Sequence, residues 1–201
     1  MQDISLKTLD CLLISPPIFY SDKENIWRWV NSNFPPLGLA SIASFVRARK
    51  FSVDLIDCNV YAPSVESFER FFRSFHVATY SSIQFVGITS FTFNIKIALK
   101  IAAVCKKYYP AATIVAGGYH ATAMPEDVLR DHSVDIVCVG EGEHTFHEIL
   151  QGRPSSEIQG IVYRDRRGQV VSTPLRPRIQ DLDQIPMPAY DLLPILRYRP
   201  A

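Results

Sequence analysis

FVGITSFTFNIKIALKIAAVCKKYYPAATIVAGG, residues 85–118, reads as a strand, a helix and a second strand in succession. FVGITS (85–90) and ATIVAGG (112–118) are short apolar runs, hydrophobic on both alternating faces. Asn94 stands where a cap would open the helix IKIALKIAAVCKKYY (95–109). A strand, a helical crossover and another strand pair in parallel, because antiparallel neighbours need only a tight turn. Strands apolar on both faces belong to a parallel sheet covered by helices on both sides.

The same alternation continues outward from this unit. Upstream lie CLLIS (11–15), a helix over 37–50 and the strand VDLID (53–57). The helix puts Leu39, Ile42, Ala43 and Val46 on one face, follows Pro35 and Pro36, and ends in Arg47, Arg49 and Lys50, which suit its negative end. SVESFERFFRSF (64–75) sets Val65, Phe68, Phe72 and Phe75 on one face, with Ser64 as its cap. Downstream, PEDVLRDH (125–132) is a short helix with proline first, and DIVCVGEGE (135–143) is a fifth strand with its loop. HTFHEIL (144–150) begins another helix, which Gly152 ends. Right-handed crossovers then give an α/β fold: a doubly wound, five-stranded parallel sheet. The order chosen among such folds is 2-1-3-4-5, the flavodoxin-like, Rossmann-type arrangement.

The texture changes after Gly152. Residues 158–174 read as a β-hairpin around Asp165–Gly168. LRPRIQDLDQIPMPAYDLLPILRYRPA (175–201) carries prolines too often for a regular element, so it reads as an ordered strap or linker. The division expected is 1–152 as the main domain and 153–201 as hairpin and linker.

Composition narrows the function classes. A net charge of +1 over 201 residues gives no field that favours nucleic acid or an anionic membrane. No apolar run reaches the length of a membrane span, and MQDISLKTLD lacks the apolar core of a signal peptide, so the expected setting is cytoplasmic. Cys11, Cys58, Cys105 and Cys138 lie far apart, with no CxxC or CxxxCxxC spacing, and read as buried reduced thiols rather than metal or cluster ligands.

Ligands of open parallel sheets bind at the carboxyl ends of the strands, beside the point where strand order reverses. Four loops at that edge are unusual: SPPIFYSDKENIWRWVNSNFPPLG, TSFTFN, GGYHAT and GEGEHTF. Gly117–Gly118 allows close backbone approach or a left-handed turn. Ser90, Thr92 and Asn94 present hydroxyl and amide groups at a helix start, suited to a phosphate or amide oxygen or to simple capping. Gly140–Glu141–Gly142–Glu143 is a turn with acidic first-turn residues, or part of a binding edge. Together the loops point to a ligand with a polar, phosphate-bearing tail. Loop histidines such as His120 more often hydrogen-bond than ligate metal, and His144 with His147 lacks a third ligand. Trp27 and Trp29 could cover a flat ligand, dock another domain or anchor their own loop. Glu141 and Glu143 are the best acids, but no paired base and no nucleophile–histidine arrangement accompanies them, so the edge suits holding a cofactor more than catalysis.

Several segments resemble a known family in order and spacing. SPP…FPPLGLASIASFVRARKFSVDLID, VGITSFTFN, IVAGGYHATAMPEDVL and DIVCVGEGEHTF are similar to the successive segments of cobalamin-binding domains fused to radical S-adenosylmethionine (SAM) enzymes. IQGIVYRDRRGQVV and IQDLDQIPMPAYDLL resemble the hairpin and strap that precede the radical domain. The resemblance covers about residues 11–195 and points to the anaerobic magnesium-protoporphyrin ester cyclase type and to cobalamin-dependent radical methyltransferases. It implies cobalamin held over the strand ends, with Ser90, Phe91, Thr92, Gly117, Gly118, Tyr119 and Gly140 lining its nucleotide tail. Ser15, Pro16, Pro17, Leu37, Gly38, Thr89, Asn94, His120, Glu141 and Gly142 complete the cofactor-binding set it implies. The DxHxxG motif of methionine-synthase-like domains is absent after the first strand, which implies a base-off cobalamin without a protein histidine on cobalt. The cluster motif CxxxCxxC is also absent. The chain is therefore expected to be an excised module, inactive alone, whose partner in cis is a radical SAM domain with a 4Fe-4S cluster and S-adenosylmethionine; the alternative is a natural stand-alone relative.

Three other readings are weighed against this one. A phosphorylatable receiver needs acids after the first strand, an aspartate after the third and a lysine after the fifth; Ser15–Pro16–Pro17, Thr89–Ser90 and Gly140–Glu141 stand there instead. A dinucleotide enzyme needs GxGxxG after the first strand, and Asp57 alone does not replace it. A cobalamin fold without cofactor, acting as an interaction or sensor module, stays open.

Overall fold

The computed structural model describes residues 6–18 and 34–198, so Trp27 and Trp29 lie outside the described residues. Seven strands form one sheet: β1 (Lys7–Ser15), β2 (Val53–Asp57), β3 (Tyr80–Thr89), β4 (Thr113–Gly117), β5 (Ile136–Cys138), β6 (Ile161–Arg164) and β7 (Val170–Ser172). Their order is β2-β1-β3-β4-β5-β6-β7. The pairings from β2 to β5 are parallel, with Ile14 of β1 facing Ile56 on one side and Ile88 on the other. β6 then runs antiparallel to β5, and β7 antiparallel to β6.

The sheet is thus mixed and seven-stranded, not an all-parallel five with an appendage. The hairpin continues it, with Val162 opposite Val137 and Ile161 opposite Cys138. The physical reason is the edge of β5, whose N–H and C=O groups need partners. Ile161 and Val162 are buried, so the hairpin adds core as well as hydrogen bonds.

Helices cover both faces. They are α1 (Leu37–Arg47), α2 (Cys58–Tyr61), α3 (Val65–Phe72), α4 (Ile95–Tyr108), α5 (Gly118–Ala123), α6 (Pro125–Leu129) and α7 (Gly142–Leu150). One core joins Leu12 and Ile14 of β1 and Ile114 of β4 to Phe68, Phe72, Ile101, Cys105 and Val128. The other joins Cys11, Leu13 and Val115 to Leu39, Ala43, Val46, Phe146 and Ile149. Consecutive residues of β1 and β4 thus serve opposite faces, as the period of two requires.

Ser64 caps α3 reciprocally: its hydroxyl accepts from the Ser67 N–H at 3.1 Å, and the Ser67 hydroxyl accepts from the Ser64 N–H at 2.8 Å. The apolar face of that helix departs from its simple period. α3 widens into a π-helical turn over Arg73–Val77, which advances the buried position by one residue. His76 is buried where Phe75 was expected, and Phe75 is 61% exposed. Asn94 precedes α4, but its side chain accepts no hydrogen bond from that helix. α5 is a turn of helix that the strand-to-loop reading did not contain.

The proline-rich strap is ordered and lies along α1. The Ala189 N–H donates to the Ala40 carbonyl at 2.9 Å, and the Ser44 hydroxyl donates to the Pro186 carbonyl at 3.2 Å. Ala189 and Leu193 are buried in the α1–α7 core. Arg47 grips Asp191 through both carboxylate oxygens, at 2.6 and 2.8 Å. Among the described residues no helix is long and apolar enough to cross a membrane.

Candidate functional site

The carboxyl ends of β1, β3, β4 and β5 meet at one edge, on either side of the point where the strand order reverses. Ser15, Pro16 and Pro17 are buried at the end of β1. The Pro17 carbonyl accepts from Asn94 Nδ2 at 3.4 Å, while Asn94 Oδ1 accepts from the Phe91 N–H at 2.8 Å. Asn94 is buried, so its amide ties the loop after β1 to the loop after β3. That is a different use from the helix cap expected of it.

Between β3 and β4 the backbone closes tightly. Ser90 donates to the Gly117 carbonyl from its N–H at 2.9 Å and from its hydroxyl at 3.2 Å. The His120 N–H returns a hydrogen bond to the Ser90 carbonyl at 3.1 Å. Gly118 sits at φ +90°, and a Cβ there would lie 2.5 Å from Thr89 Oγ1 and 2.8 Å from Ser90 backbone atoms. Only glycine fits both the left-handed backbone and that space. Ser90 is buried and committed to backbone. The polar groups turned toward solvent here are those of Thr92 and His120, paired through Oγ1 and Nδ1 at 3.2 Å.

Apolar side chains gather on the same edge. The rings of Phe91 and Phe93 stack with centroids 5.3 Å apart, and Phe91 and Tyr119 stack at 5.4 Å. Phe93 is 62% and Tyr119 77% exposed. Phe34, Leu37 and Met124, beside α1 and α5, are exposed as well. Large apolar groups grouped in the open mark a surface meant to be covered. A Cβ on Gly38 or Gly140 would meet no atom within 4 Å, so both face open space.

The acids after β5 are structural. Glu141 Oε2 accepts from the Ile179 N–H of the strap at 2.7 Å. Glu143 Oε1 accepts from the Ser41 hydroxyl of α1 at 2.7 Å. Gly142 gives α1 room, since a Cβ there would lie 2.6 Å from Ile42 Cδ1. His144 and His147 pack against Phe45, with ring centroids 4.8 and 6.0 Å away. Burial, then the nearby Arg49, holds His147 below the ordinary histidine range. The four cysteines are free and buried, and burial pushes the Cys138 thiol up to about 12. Among the described residues, no group of three or more His, Cys, Asp or Glu could hold a metal ion.

Of the residues singled out from sequence, the structure brings those after β1, β3, β4 and β5 to one edge, with Leu37 and Gly38 at the start of α1 beside them. It separates their roles: Ser90, Asn94, Glu141 and Gly142 hold the edge together, whereas Phe91, Thr92, Tyr119, Gly38 and Gly140 face outward. Phe93 and Met124 escaped the sequence reading, although the F-x-F spacing of SFTFN signals paired rings. Asp57 has another role than ribose binding. It is buried at the end of β2, and its carboxylate accepts from the Tyr198 hydroxyl at 2.8 Å and from the Asn59 N–H at 3.0 Å.

Comparison with known proteins agrees with this geometry. The family described as "B12 binding domain" matches residues 28–150. An uncharacterized methyltransferase of Pyrococcus horikoshii is 35% identical over 199 residues, covering 96% of this chain and 41% of that protein. The anaerobic magnesium-protoporphyrin IX monomethyl ester cyclase of Rubrivivax gelatinosus is 29% identical over 165 residues, covering 78% of this chain and 29% of that enzyme. The cobalamin-dependent S-adenosylmethionine radical enzyme OxsB, solved with aqua-cobalamin bound, superposes with a TM-score of 0.71 at 18% identity, over 94% of this chain and 25% of that one. The chain spans less than half the length of each of these proteins. With the match covering more than half of its residues, this chain belongs to the B12-binding domain family.

Proposed function

We propose that this chain binds cobalamin across the carboxyl edge of its sheet, as one module of a cobalamin-dependent radical SAM enzyme. The observation that carries the reading is the exposed apolar ledge Phe91–Phe93–Tyr119 beside the polar pair Thr92–His120, at the carboxyl ends of β3 and β4. A flat macrocycle with a long polar tail needs both.

The residues divide the work. Gly117 and Gly118 form the floor between β3 and β4, and Gly118 lets it close on Thr89 and Ser90 where no side chain would fit. Thr92 and His120 offer hydrogen-bonding groups at the mouth. Ser90 and Asn94 hold the floor and the loop after β1 in register without facing the ligand. Phe91, Phe93 and Tyr119, with Leu37 and Gly38 at the start of α1, present the surface on which a ring would lie. Ser15, Pro16, Pro17, Thr89, Gly140, Glu141 and Gly142 complete the proposed set, forming the ends of β1 and β3 and the turn after β5. When bound, cobalamin supplies a cobalt centre able to carry a methyl group or change oxidation state. The loop after β1 contains no histidine, so it would offer the cobalt no imidazole.

Methyl transfer or oxidative cyclisation then belongs to the complete enzyme, with a radical SAM domain in cis that holds a 4Fe-4S cluster and S-adenosylmethionine. The longer relatives support this, and so do Leu182, Met187 and Leu196, apolar strap residues left exposed. In this reading residues 1–152 hold the cofactor, 153–201 lead to the radical domain, and the setting is cytoplasmic. Mixing the protein with hydroxocobalamin and desalting tests it. A retained corrin spectrum near one equivalent is expected. A colourless protein would sink the proposal and favour a module that has kept the fold for docking alone.

A further inference from the structure

We propose that Tyr198, at the end of the strap, is a positioning residue for Pro17 and Ile18, which directly follow β1, acting through Asp57 and Asn59. The Tyr198 hydroxyl donates to Asp57 Oδ2 at 2.8 Å. The other carboxylate oxygen, Asp57 Oδ1, accepts from the Asn59 N–H at 3.0 Å and from Asn59 Nδ2 at 2.9 Å. The opposite end of that amide, Asn59 Oδ1, accepts from the Ile18 N–H at 2.8 Å. Four groups therefore stand in line from the strap, through the carboxyl end of β2, to the first residues of the loop.

The line is a relay because its two middle members are planar. Fixing Asn59 Nδ2 on Asp57 fixes where Asn59 Oδ1 points, and Asp57 is oriented by the groups on its two oxygens. Asp57 is fully buried, so a link left unmade is not replaced cheaply by water. The far end of the relay is a functional place. The carbonyl of Pro17, just before Ile18, receives Asn94 Nδ2 from the loop after β3. Ile18 and Pro17 are thus held from β2 on one side and from the switch point on the other. Seating the strap on α1 and fixing Pro17 and Ile18 at the end of β1 become one event, and whatever pulls on the strap changes the affinity of the site. This consequence rests on the cobalamin reading; the relay itself does not.

The test uses Tyr198→Phe, Asn59→Ala and the double variant of the chain. Hydrogen exchange of the Ile18 amide is measured in each, together with hydroxocobalamin affinity by absorbance titration. In Tyr198→Phe the Ile18 amide should exchange about fivefold faster, the factor that one ordinary hydrogen bond represents. Each single variant should bind hydroxocobalamin about fivefold more weakly. The double should be no weaker than Asn59→Ala, because coupled changes along one line do not multiply. Wild-type exchange at Ile18 in Tyr198→Phe, or a double variant weakened by the full product of about 25-fold, would overturn the relay. If wild type fails to bind hydroxocobalamin, the cofactor reading falls, and the Ile18 exchange still decides the relay.

Discussion

Gly118 combines a φ of +90° with a space already filled by Thr89 and Ser90 atoms. Gly118→Ala meets both obstacles, and the second includes the Ser90 backbone, which cannot swing aside. The left-handed conformation alone costs an alanine roughly 1–3 kcal/mol. Urea denaturation of Gly118→Ala should therefore show a loss of about 2 kcal/mol or more, with corrin retention reduced. Wild-type stability would mean the β4–α5 turn can relax. Asp57 makes a second prediction at this scale. Burial pushes its carboxyl up from 3.8, against the Tyr198 and Asn59 hydrogen bonds that pull it down. A raised folded-state value means that the native protein binds protons more readily than the unfolded chain. Its contribution is then greatest in acid and is lost as pH rises from about 4 through the raised value. Asp57→Asn does not titrate, so its stability relative to wild type should climb across that window. A difference independent of pH would show that the carboxylate is well solvated. Asp57 also marks a limit of sequence reading: its partner Tyr198 lies 141 residues away, and no local pattern announces the pair.

Among the elements, the strap and α1 show which contacts carry stability. Arg47 and Asp191 make a bidentate ion pair, but their side chains are 44% and 63% exposed. Exposed pairs of this kind contribute at most about 1 kcal/mol. Leu193, the strap residue buried against α1 and α7, loses both transfer energy and packing when truncated, at roughly 2–5 kcal/mol. Leu193→Ala should therefore lower the urea midpoint several times more than Asp191→Ala. Equal effects would mean that charge, not burial, seats the strap. The strands and main helices were legible because period and run length are local properties: Val53–Asp57 is a strand as read, and α4 ends within a residue of its predicted end. The π-helical turn was not legible, because the choice between Phe75 and His76 as the buried residue is made by Asp54 and Tyr109. Asp54 Oδ2 lies 3.2 Å from His76 Nε2, and the Tyr109 hydroxyl donates to the His76 carbonyl at 3.3 Å. The hairpin was read correctly as a hairpin, but its joining to the sheet depended on the unpaired edge of β5, a property of the assembled fold.

For the molecule as a whole, the site was legible as a place before it was legible as a set of roles. Strand ends and loop residues located the edge, since topology alone brings four loops together there. The sequence could not tell Thr92, turned outward, from Ser90, spent on a backbone carbonyl, because both are hydroxyls at one helix start. A bound corrin should also steady the entire fold. Saturation at 100 times the dissociation constant is worth about 2.7 kcal/mol, and the thermal midpoint should rise with hydroxocobalamin concentration. The strap has one further consequence, for synthesis. Ala189 bonds to Ala40 and Tyr198 to Asp57, so the strap completes a layer begun by α1 and β2. A ribosome makes these partners in the order opposite to their need. α1 and the end of β2 emerge early and wait, one apolar flank bare, through well over a hundred further codons. Until the strap is made, that flank of the nascent chain should be open to chaperones and proteases, and strap synthesis should close it.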